Sequence, residues 1–238
     1  MQRKTDSQVT IAYGAIRDQI LQYLLPPGAP LSDNQLSKAL GMSRAPIREA
    51  ILLLQMDGLV QVDEGGKVRV SPICFEDISD ILSVRCALES EAIRLIANAG
   101  WLDAQQEQEL IDLHRQLCES TCTNDVTEQY GYDDLFHLKI AEFSKSKRIC
   151  EILGQMRLQM QRARWLNFAN PKRQESASQE HQVLLAAILN HDAETAINHL
   201  RIHFDNSRNS FYVVLNDKKM QPIYAAISNF SRQNQEKA

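Results

Sequence analysis

Hydrophobic and polar positions divide the chain into two stretches of different texture. Between residues 11 and 72 the spacing of the apolar positions changes about every dozen residues, and a Pro26-Pro27-Gly28 turn and several further glycines interrupt it. Between residues 75 and 215 glycine and proline are rare, and apolar residues recur at spacings of three and four. The first stretch predicts a small mixed domain, and the second predicts a bundle of long helices.

Three short helices are predicted in the first stretch. The first is marked by three apolar residues at a spacing of four, Ile16, Ile20 and Leu24. Ser32 opens the second, where Gln35 completes a capping box, and Gly41 ends it. The third begins at Ser43. Its apolar positions follow the helical repeat and predict one buried stripe: Ile47, Ala50, Ile51 and Leu54.

After Gly58 the apolar period changes to two, which is typical of strands. Val60 and Val62 precede a Gly65-Gly66 turn, and Val68 and Val70 follow it, so we expect a β-hairpin. Three short helices followed by a hairpin make a winged helix-turn-helix. In that fold the third helix lies in the major groove of DNA, and the hairpin lies beside it.

The second stretch predicts six helices and no strand. Their expected bounds are 75–99, 103–122, 126–144, 147–167, 176–190 and 192–215. The predicted fold class is therefore mainly α, with a winged helix-turn-helix over 1–72, an all-helical bundle over 73–217, and a tail or an extra helix over 218–238. The expected joint is Ser71-Pro72, because proline biases its predecessor toward extended geometry.

Composition limits the possible partners and the cellular compartment. The net charge is −4, but residues 1–72 hold eight Lys and Arg against seven Asp and Glu, which favours a small local basic surface over general coating of DNA. The five cysteines are odd in number and lack CxxC spacing, so reduced thiols are expected. We find neither a secretory signal nor a membrane span, and we expect a soluble, cytoplasmic protein.

Arg44 and Arg48 are the candidate DNA-reading residues. They lie four apart at the start of the third helix, opposite its apolar stripe, so both guanidinium groups project together. A guanidinium fork matches the O6 and N7 atoms of guanine, or a phosphate. The alternative is that they are ordinary solvated charges, with Arg48 paired to a nearby acidic residue. The helix-turn-helix and hairpin around them favour the DNA-reading role.

The run PPGAPLSDNQLSKALGMSRAPIREAILLLQMDGLVQV resembles the DNA-binding domain of the GntR family of transcription regulators. The matching features are a Pro-Gly turn, a Leu-Ser opening, a Ser-Arg-x-Pro-x-Arg-Glu-Ala core and a Gly-Leu exit. The resemblance implies a homodimer that binds double-stranded, palindromic operator DNA.

The resemblance also assigns roles to single residues. Arg44 and Arg48 match the base and phosphate contacts of the family, and Ser43 and Pro46 match its helix opening. Asn34 lies where some members have an arginine. The wing departs from the family pattern, since it carries Asp63 and Glu64 where basic residues are common, which leaves Lys67 as its candidate DNA contact.

Four polar residues lie on predicted inward helix faces of the second domain. Asp133 and His137 are four apart and reach one ion together, and His181 and His203 each lie in an apolar stripe. One carboxylate with three imidazoles suits a divalent metal ion such as zinc, nickel, manganese or iron. The alternative for each histidine is a hydrogen-bonded core residue.

This part of the chain resembles the FCD ligand-binding domain of FadR-type GntR regulators. The matching stretches are RCALE at 85–89, DDLFH at 133–137, EH at 180–181 and the run 192–203. In the metal-binding branch of that subgroup the equivalents of these same four residues hold the ion, whereas other members bind acyl ligands without metal. Asp134 and His199 are neighbouring candidates for the ligand set.

Arg85 lies in the apolar stripe of the first long helix and is the candidate clamp for an organic acid, with a buried pair to Glu89 as the alternative. Arg162 and Arg164 are weaker candidates for the same cavity. The resulting hypothesis is a ligand-responsive regulator, a repressor in its expected mode, that senses a small carboxylate. The competing hypotheses are a metal-dependent enzyme and a purely structural metal.

Overall fold

The computed structural model describes residues 7–123, 126–164 and 171–216. The described residues divide into two compact units, one up to residue 73 and the other from residue 74 onward. The predicted tail over 218–238 lies outside the described residues. Among the described residues, no helix is both long enough and apolar enough to cross a membrane.

The first unit contains the predicted three helices and hairpin. Its elements are α1 (Gln8–Leu21), α2 (Asp33–Leu40), α3 (Arg44–Met56), β1 (Val60–Val62) and β2 (Val68–Val70). The strands are antiparallel, with Val60 opposite Val70 and Val62 opposite Val68. The mainly α fold class and the small two-stranded sheet are confirmed.

Local sequence signals explain the helix ends in this unit. The Ser32 hydroxyl accepts a hydrogen bond from the backbone N–H of Gln35, which caps α2, and Gly41 ends that helix at φ 64°. The predicted apolar stripe of α3 is buried. Because one face of α3 is committed to the core, its opposite face is left at the surface.

One pairing in this unit was absent from the sequence prediction. Residues 28–31 run along β2, where Gly28 N–H donates to Val70 O and Leu31 N–H donates to Val68 O, each at 2.9 Å. An isolated bridge also joins Pro30 to Arg69. This pairing was not predicted because the segment contains prolines, which argue against a strand except at the edge of a sheet.

The second unit is a bundle of helices. Its described elements are α4 (Phe75–Asn98), α5 (Ala104–Thr123), α6 (Val126–Phe143), α7 (Lys147–Arg164), α8 (Pro171–Leu189) and α9 (Ala193–Asn216). Helix α4 packs against α6, α7 and α9, and α8 packs against α5 and α9. This arrangement brings the inner faces of α4, α6, α8 and α9 toward one another.

Four of the six predicted helices, α4, α5, α6 and α9, agree with the structure to within one residue at each end. The predicted start of α8 at residue 176 is wrong, because the helix begins at Pro171. Proline is favoured at the first helical position, where its missing N–H costs nothing, whereas the prediction took Ser176 as the opening residue. The predicted end of α7 at 167 lies outside the described residues.

Candidate functional site

The outer face of α3 presents both candidate DNA-reading arginines. Arg44 and Arg48 are exposed, whereas Pro46 and Ile47 beside them are buried. Arg48 Nε lies 2.7 Å from Asp33 Oδ2, although the Arg48 side chain remains 66% exposed. This hydrogen bond is the main cause of a lowered pKa of the Asp33 carboxyl.

The other predicted DNA contacts differ in their surroundings. Asn34 is exposed on α2, and Lys67 is exposed on the hairpin. Ser43 is exposed at the start of α3 and makes no side-chain capping bond. Pro46 is buried under the helix opening, so its place in the motif is structural.

Asp63 closes the hairpin turn. Its Oδ1 accepts the backbone N–H groups of Gly65 and Lys67 at 3.0 and 2.8 Å, and its Oδ2 lies 2.6 Å from Arg69 Nε. The acidic residue that departs from the family pattern therefore orders the wing. This role of Asp63 was not predicted from the sequence, although an Asx-type turn before Gly-Gly is a recognisable sequence signal.

The predicted metal ligands converge inside the second unit. Helix α6 supplies Asp133 and His137, α8 supplies His181, and α9 supplies His203; one donor atom from each lies within 4.8 Å of all the others. The three histidines are buried, and Asp133 is half-buried. Sequence spacing placed the first pair on one helix turn, and the bundle brings the other two to it.

Each imidazole is held through its Nδ1 atom. His137 Nδ1 lies 2.6 Å from Glu89 Oε2, and His203 Nδ1 lies 2.8 Å from Glu180 Oε2. His181 Nδ1 lies 2.7 Å from the main-chain oxygen of residue 177 in the preceding turn. Carbonyl and carboxylate oxygens only accept hydrogen bonds, so Nδ1 of each ring carries the proton. The lone pair of Nε2 is then available to a metal ion.

The free nitrogens face one another. The Nε2 atoms of His137 and His181 are 3.1 Å apart, and Asp133 Oδ1 lies 3.3 Å from His181 Nε2. When both rings are neutral and carry their proton on Nδ1, no hydrogen lies between their Nε2 lone pairs. A cation bound between these atoms satisfies all of them, so the donor set fits a metal ion.

Burial keeps the rings of His181 and His203 neutral. It lowers the pKa of His181 to about 4, and burial also holds the pKa of His203 well below its usual range. Burial alone would raise the pKa of Glu89, but attraction to His137 and Arg85 outweighs it, and the net pKa is lowered. Neutral imidazoles next to ionised carboxylates are the protonation states that a divalent cation requires.

A small cavity of about 60 Å³ adjoins the cluster. Arg85 and Arg173 line it together with three of the cluster residues and the apolar side chains of Leu117, Met160 and Phe211. On the same measure of volume, one water needs roughly 10–15 Å³, so the cavity accommodates a ligand of only a few heavy atoms.

The two arginines of the cavity differ in their free donors. Arg85 Nε lies 3.1 Å from Glu89 Oε1, and its guanidinium lies 5.2 Å from the centre of the Phe204 ring. Within the described residues, its terminal nitrogens make no hydrogen bond to the protein. The Arg85–Glu89 pair that was an alternative to ligand binding is thus present, and it leaves the end of the guanidinium uncommitted.

Arg173 is occupied by the protein. Its Nη1 donates to Ser176 Oγ and to Glu180 Oε1, and its Nη2 donates to Ser207 Oγ and to the His203 carbonyl. Arg173 was not predicted as a cavity residue because it lies before the predicted start of α8. The hydrogen bonds from His137 to Glu89 and from His203 to Glu180 were not predicted either, because the two partners of each bond are far apart in the sequence.

The neighbouring candidates lie outside the cluster. Asp134 is buried and pairs with Arg157 at 2.9 Å, and His199 is half-buried on α9 without joining the four ligands. Arg162 is buried on α7 but does not line the cavity. The side chain of Arg164 lies outside the described residues.

Comparison with known proteins identifies both units. Residues 9–70 match the family described as bacterial regulatory proteins, gntR family, and residues 80–206 match the FCD domain. An HTH-type transcriptional regulator of Streptomyces ambofaciens is 31% identical over 82% of this chain and 82% of its own length. The regulator YdhC of Bacillus subtilis is 28% identical over 87% of this chain and 92% of its own length.

The solved structure of McbR/YncC from E. coli is similar to this chain with a TM-score of 0.72. It is 25% identical, and the match covers 89% of this chain and all of that one. These relatives are transcription regulators rather than enzymes. Both domains that the sequence resemblance predicted, the GntR DNA-binding domain and the FCD domain, are matched. The chain belongs to the GntR family of transcriptional regulators, with a helix-turn-helix DNA-binding domain and an FCD domain.

Proposed function

We propose that the protein is a dimeric, FadR-type repressor that binds palindromic operator DNA in the cytoplasm and responds to a small carboxylate held at a metal-containing pocket. The observation that carries this proposal is the juxtaposition of the Asp133, His137, His181 and His203 donor set with the uncommitted end of Arg85 on one cavity. A cation site beside a free guanidinium is suited to an anion that bridges them.

The DNA-binding part of the proposal is supported by α3. Its outer face carries Arg44 and Arg48, while its inner face is buried, so the helix presents its guanidinium groups without losing core contacts. Asn34 and Lys67 flank it from α2 and the hairpin. In a two-fold dimer two such helices lie about one turn of DNA apart, which calls for a short palindrome.

The donor set supports a divalent metal ion as cofactor. Three imidazoles and one carboxylate suit zinc, nickel, manganese or iron, with positions left for water or an effector. Asp133 and the Nε2 atoms of His137, His181 and His203 would hold the ion. Bound there, the metal would supply a Lewis-acidic partner for one carboxylate oxygen.

Arg85 is the proposed effector clamp. Its terminal nitrogens are uncommitted among the described residues, whereas the terminal nitrogens of Arg173 are bonded to the protein. The small cavity favours a short organic acid over a long acyl chain. Effector binding then favours one arrangement of the two DNA-binding domains, which shifts the population of operator-competent dimers.

The test combines metal analysis with DNA binding. Elemental mass spectrometry of the purified protein is expected to find about one divalent metal per chain, and native mass spectrometry is expected to find any retained carboxylate. Operator sequences are selected from a random duplex pool and are expected to be palindromic. Short carboxylates are then added to the complex, and one of them is expected to release the DNA.

The matched variants are Arg48→Ala and Arg148→Ala. Arg148 is an exposed helical arginine with an acidic partner, Glu151, in the other unit. Arg48→Ala is expected to weaken operator binding by roughly 1–3 kcal/mol, and Arg148→Ala is expected to leave it unchanged. Equal operator affinity of Arg48→Ala and the parent protein would refute the DNA-reading role of α3.

A further inference from the structure

Two chains of polar contacts of the same kind lead from the cavity to the metal-ligand histidines. In the first chain, Glu89 divides its carboxylate between two partners, since Oε1 lies 3.1 Å from Arg85 Nε and Oε2 lies 2.6 Å from His137 Nδ1. All three side chains are buried, and they come from α4 and α6.

The second chain repeats this pattern on α8 and α9. Glu180 Oε1 lies 2.9 Å from Arg173 Nη1, and Glu180 Oε2 lies 2.8 Å from His203 Nδ1. Asn206 also donates to Oε1 at 2.8 Å. Each carboxylate therefore has one oxygen on a guanidinium and the other on the remote nitrogen of a ligand imidazole.

Resting on the proposed metal site, we propose that Glu89 and Glu180 are positioning residues for that metal. A carboxylate on Nδ1 fixes the tautomer that leaves Nε2 bare, orients the ring, and increases the basicity of the metal-binding nitrogen. The arginines hold the carboxylates in turn. His181 Nδ1 is held in the same way by a main-chain oxygen, which no side-chain substitution removes.

The two carboxylates differ in exposure, and this sets their relative importance. The Glu89 side chain is 1% exposed, and that of Glu180 is 14% exposed. A charge interaction is screened less where water is excluded. Loss of the Glu89 charge therefore weakens metal binding more than loss of the Glu180 charge.

A purely structural role is the alternative, in which each glutamate only neutralises a buried arginine. That role affects the stability of the metal-free protein but leaves the intrinsic affinity of a folded site for metal unchanged. Metal affinity and the spectrum of the bound ion separate the two roles. Cobalt(II) is the probe, because its visible absorption reports on the ligands and their geometry.

The experiment titrates Co²⁺ into the full-length, metal-free parent and into Glu89→Gln, Glu89→Leu, Glu180→Gln and Glu180→Leu. Glu151→Gln is the control, because Glu151 is an arginine-paired carboxylate of the same unit that lies outside both the four-residue donor set and the cavity lining. Circular dichroism of the metal-free proteins establishes which variants are folded.

We expect the Gln variants to bind Co²⁺ about ten- to hundredfold more weakly than the parent, with an altered visible spectrum. The Leu variants are expected to be weaker still, since an amide oxygen still accepts from Nδ1 and a leucine does not. Glu151→Gln is expected to match the parent. If Glu89→Leu does not fold, the more exposed Glu180 pair decides the question.

Parental affinity and spectrum in folded Glu89→Gln and Glu180→Gln would overturn the inference and leave the proposed metal site intact. A parent protein that binds neither Co²⁺ nor Zn²⁺ would overturn the proposed metal site, and this inference with it. The two failures are therefore distinguishable in one titration.

Discussion

Arg48 donates from Nε to Asp33 Oδ2 at 2.7 Å, across the turn between α2 and α3. The bond uses the side of the guanidinium and leaves its two terminal nitrogens uncommitted among the described residues. Those nitrogens form the fork that matches guanine or a phosphate. Asp33 thus orients the arginine and also places a negative charge next to the surface that meets DNA.

Replacing Asp33 by Asn is expected to strengthen binding to a duplex of arbitrary sequence by roughly three- to fivefold, because the exposed carboxylate no longer competes with phosphate for Arg48. Fluorescence anisotropy between 50 and 200 mM salt measures the affinity. Asp18→Asn, which removes the similar exposed partner of Arg17 on α1, is the control. Weaker binding of Asp33→Asn to arbitrary DNA would contradict the competition argument.

Metal binding is expected to stabilise the second unit. A ligand that binds only the folded state at a free concentration 100 times its Kd adds about 2.7 kcal/mol to the free energy of unfolding. Addition of Zn²⁺ to metal-free protein should therefore raise Tm in differential scanning fluorimetry, and a chelator should reverse the rise.

His181→Asn is expected to abolish this metal-dependent rise, because it removes a ligand from the centre of the cluster. His191→Asn is the matched control, since His191 is exposed and lies outside the four-residue set. A Zn²⁺-dependent rise that survives in His181→Asn would place the bound metal elsewhere.

Periodicity along the chain predicted the elements of both domains because each helix buries one stripe and each strand one side. The same reasoning found Asp133 and His137, which lie one turn apart, and His181 and His203, which break apolar stripes. Whether a residue lies in an apolar stripe can be read from the sequence of its own helix, without knowing which helix packs against it.

The partners of these residues were not predictable in the same way. The hydrogen bond from His137 to Glu89 spans 48 residues, and the hydrogen bond from His203 to Glu180 spans 23. Such pairs depend on the angle and register of helix packing, which periodicity does not specify. The start of α8 was missed for a local reason, namely the choice of Ser176 over Pro171.

Stability of the metal-free protein is expected to fall on mild acidification. The pKa of His181 is lowered from an unfolded value near 6.5 to about 4, so between these values the unfolded state binds a proton that the folded state does not. The contribution of neutral His181 to the free energy of unfolding is therefore fully present above pH 6.5 and is lost as pH falls toward 4. The slope from His181 alone is about 1.4 kcal/mol per pH unit.

Urea unfolding between pH 7 and pH 5 measures this slope in the presence of chelator. His203, whose pKa burial also lowers, adds to it in the same direction. His181→Asn is expected to show a shallower dependence than the parent, whereas the exposed-site variant His191→Asn should keep the parental slope. A flat profile in the parent would show that the buried imidazoles do not remain neutral in the folded state.

The last prediction concerns Arg85, which Glu89 holds through Nε just as Asp33 holds Arg48. Arg85→Lys keeps the positive charge but loses both the hydrogen bond from Nε to Glu89 and the pair of terminal nitrogens. A lysine ammonium therefore cannot bind Glu89 and form a bidentate contact with a carboxylate at the same time. The carboxylate that releases the parent from its operator is expected to bind about ten- to hundredfold more weakly, because one or two charge-assisted hydrogen bonds are lost.

Isothermal titration of metal-loaded protein measures this affinity. Arg157→Lys, whose arginine pairs with Asp134, is the control and should bind the effector like the parent. An unchanged affinity in Arg85→Lys, with metal still bound, would mean that the effector contacts the metal alone.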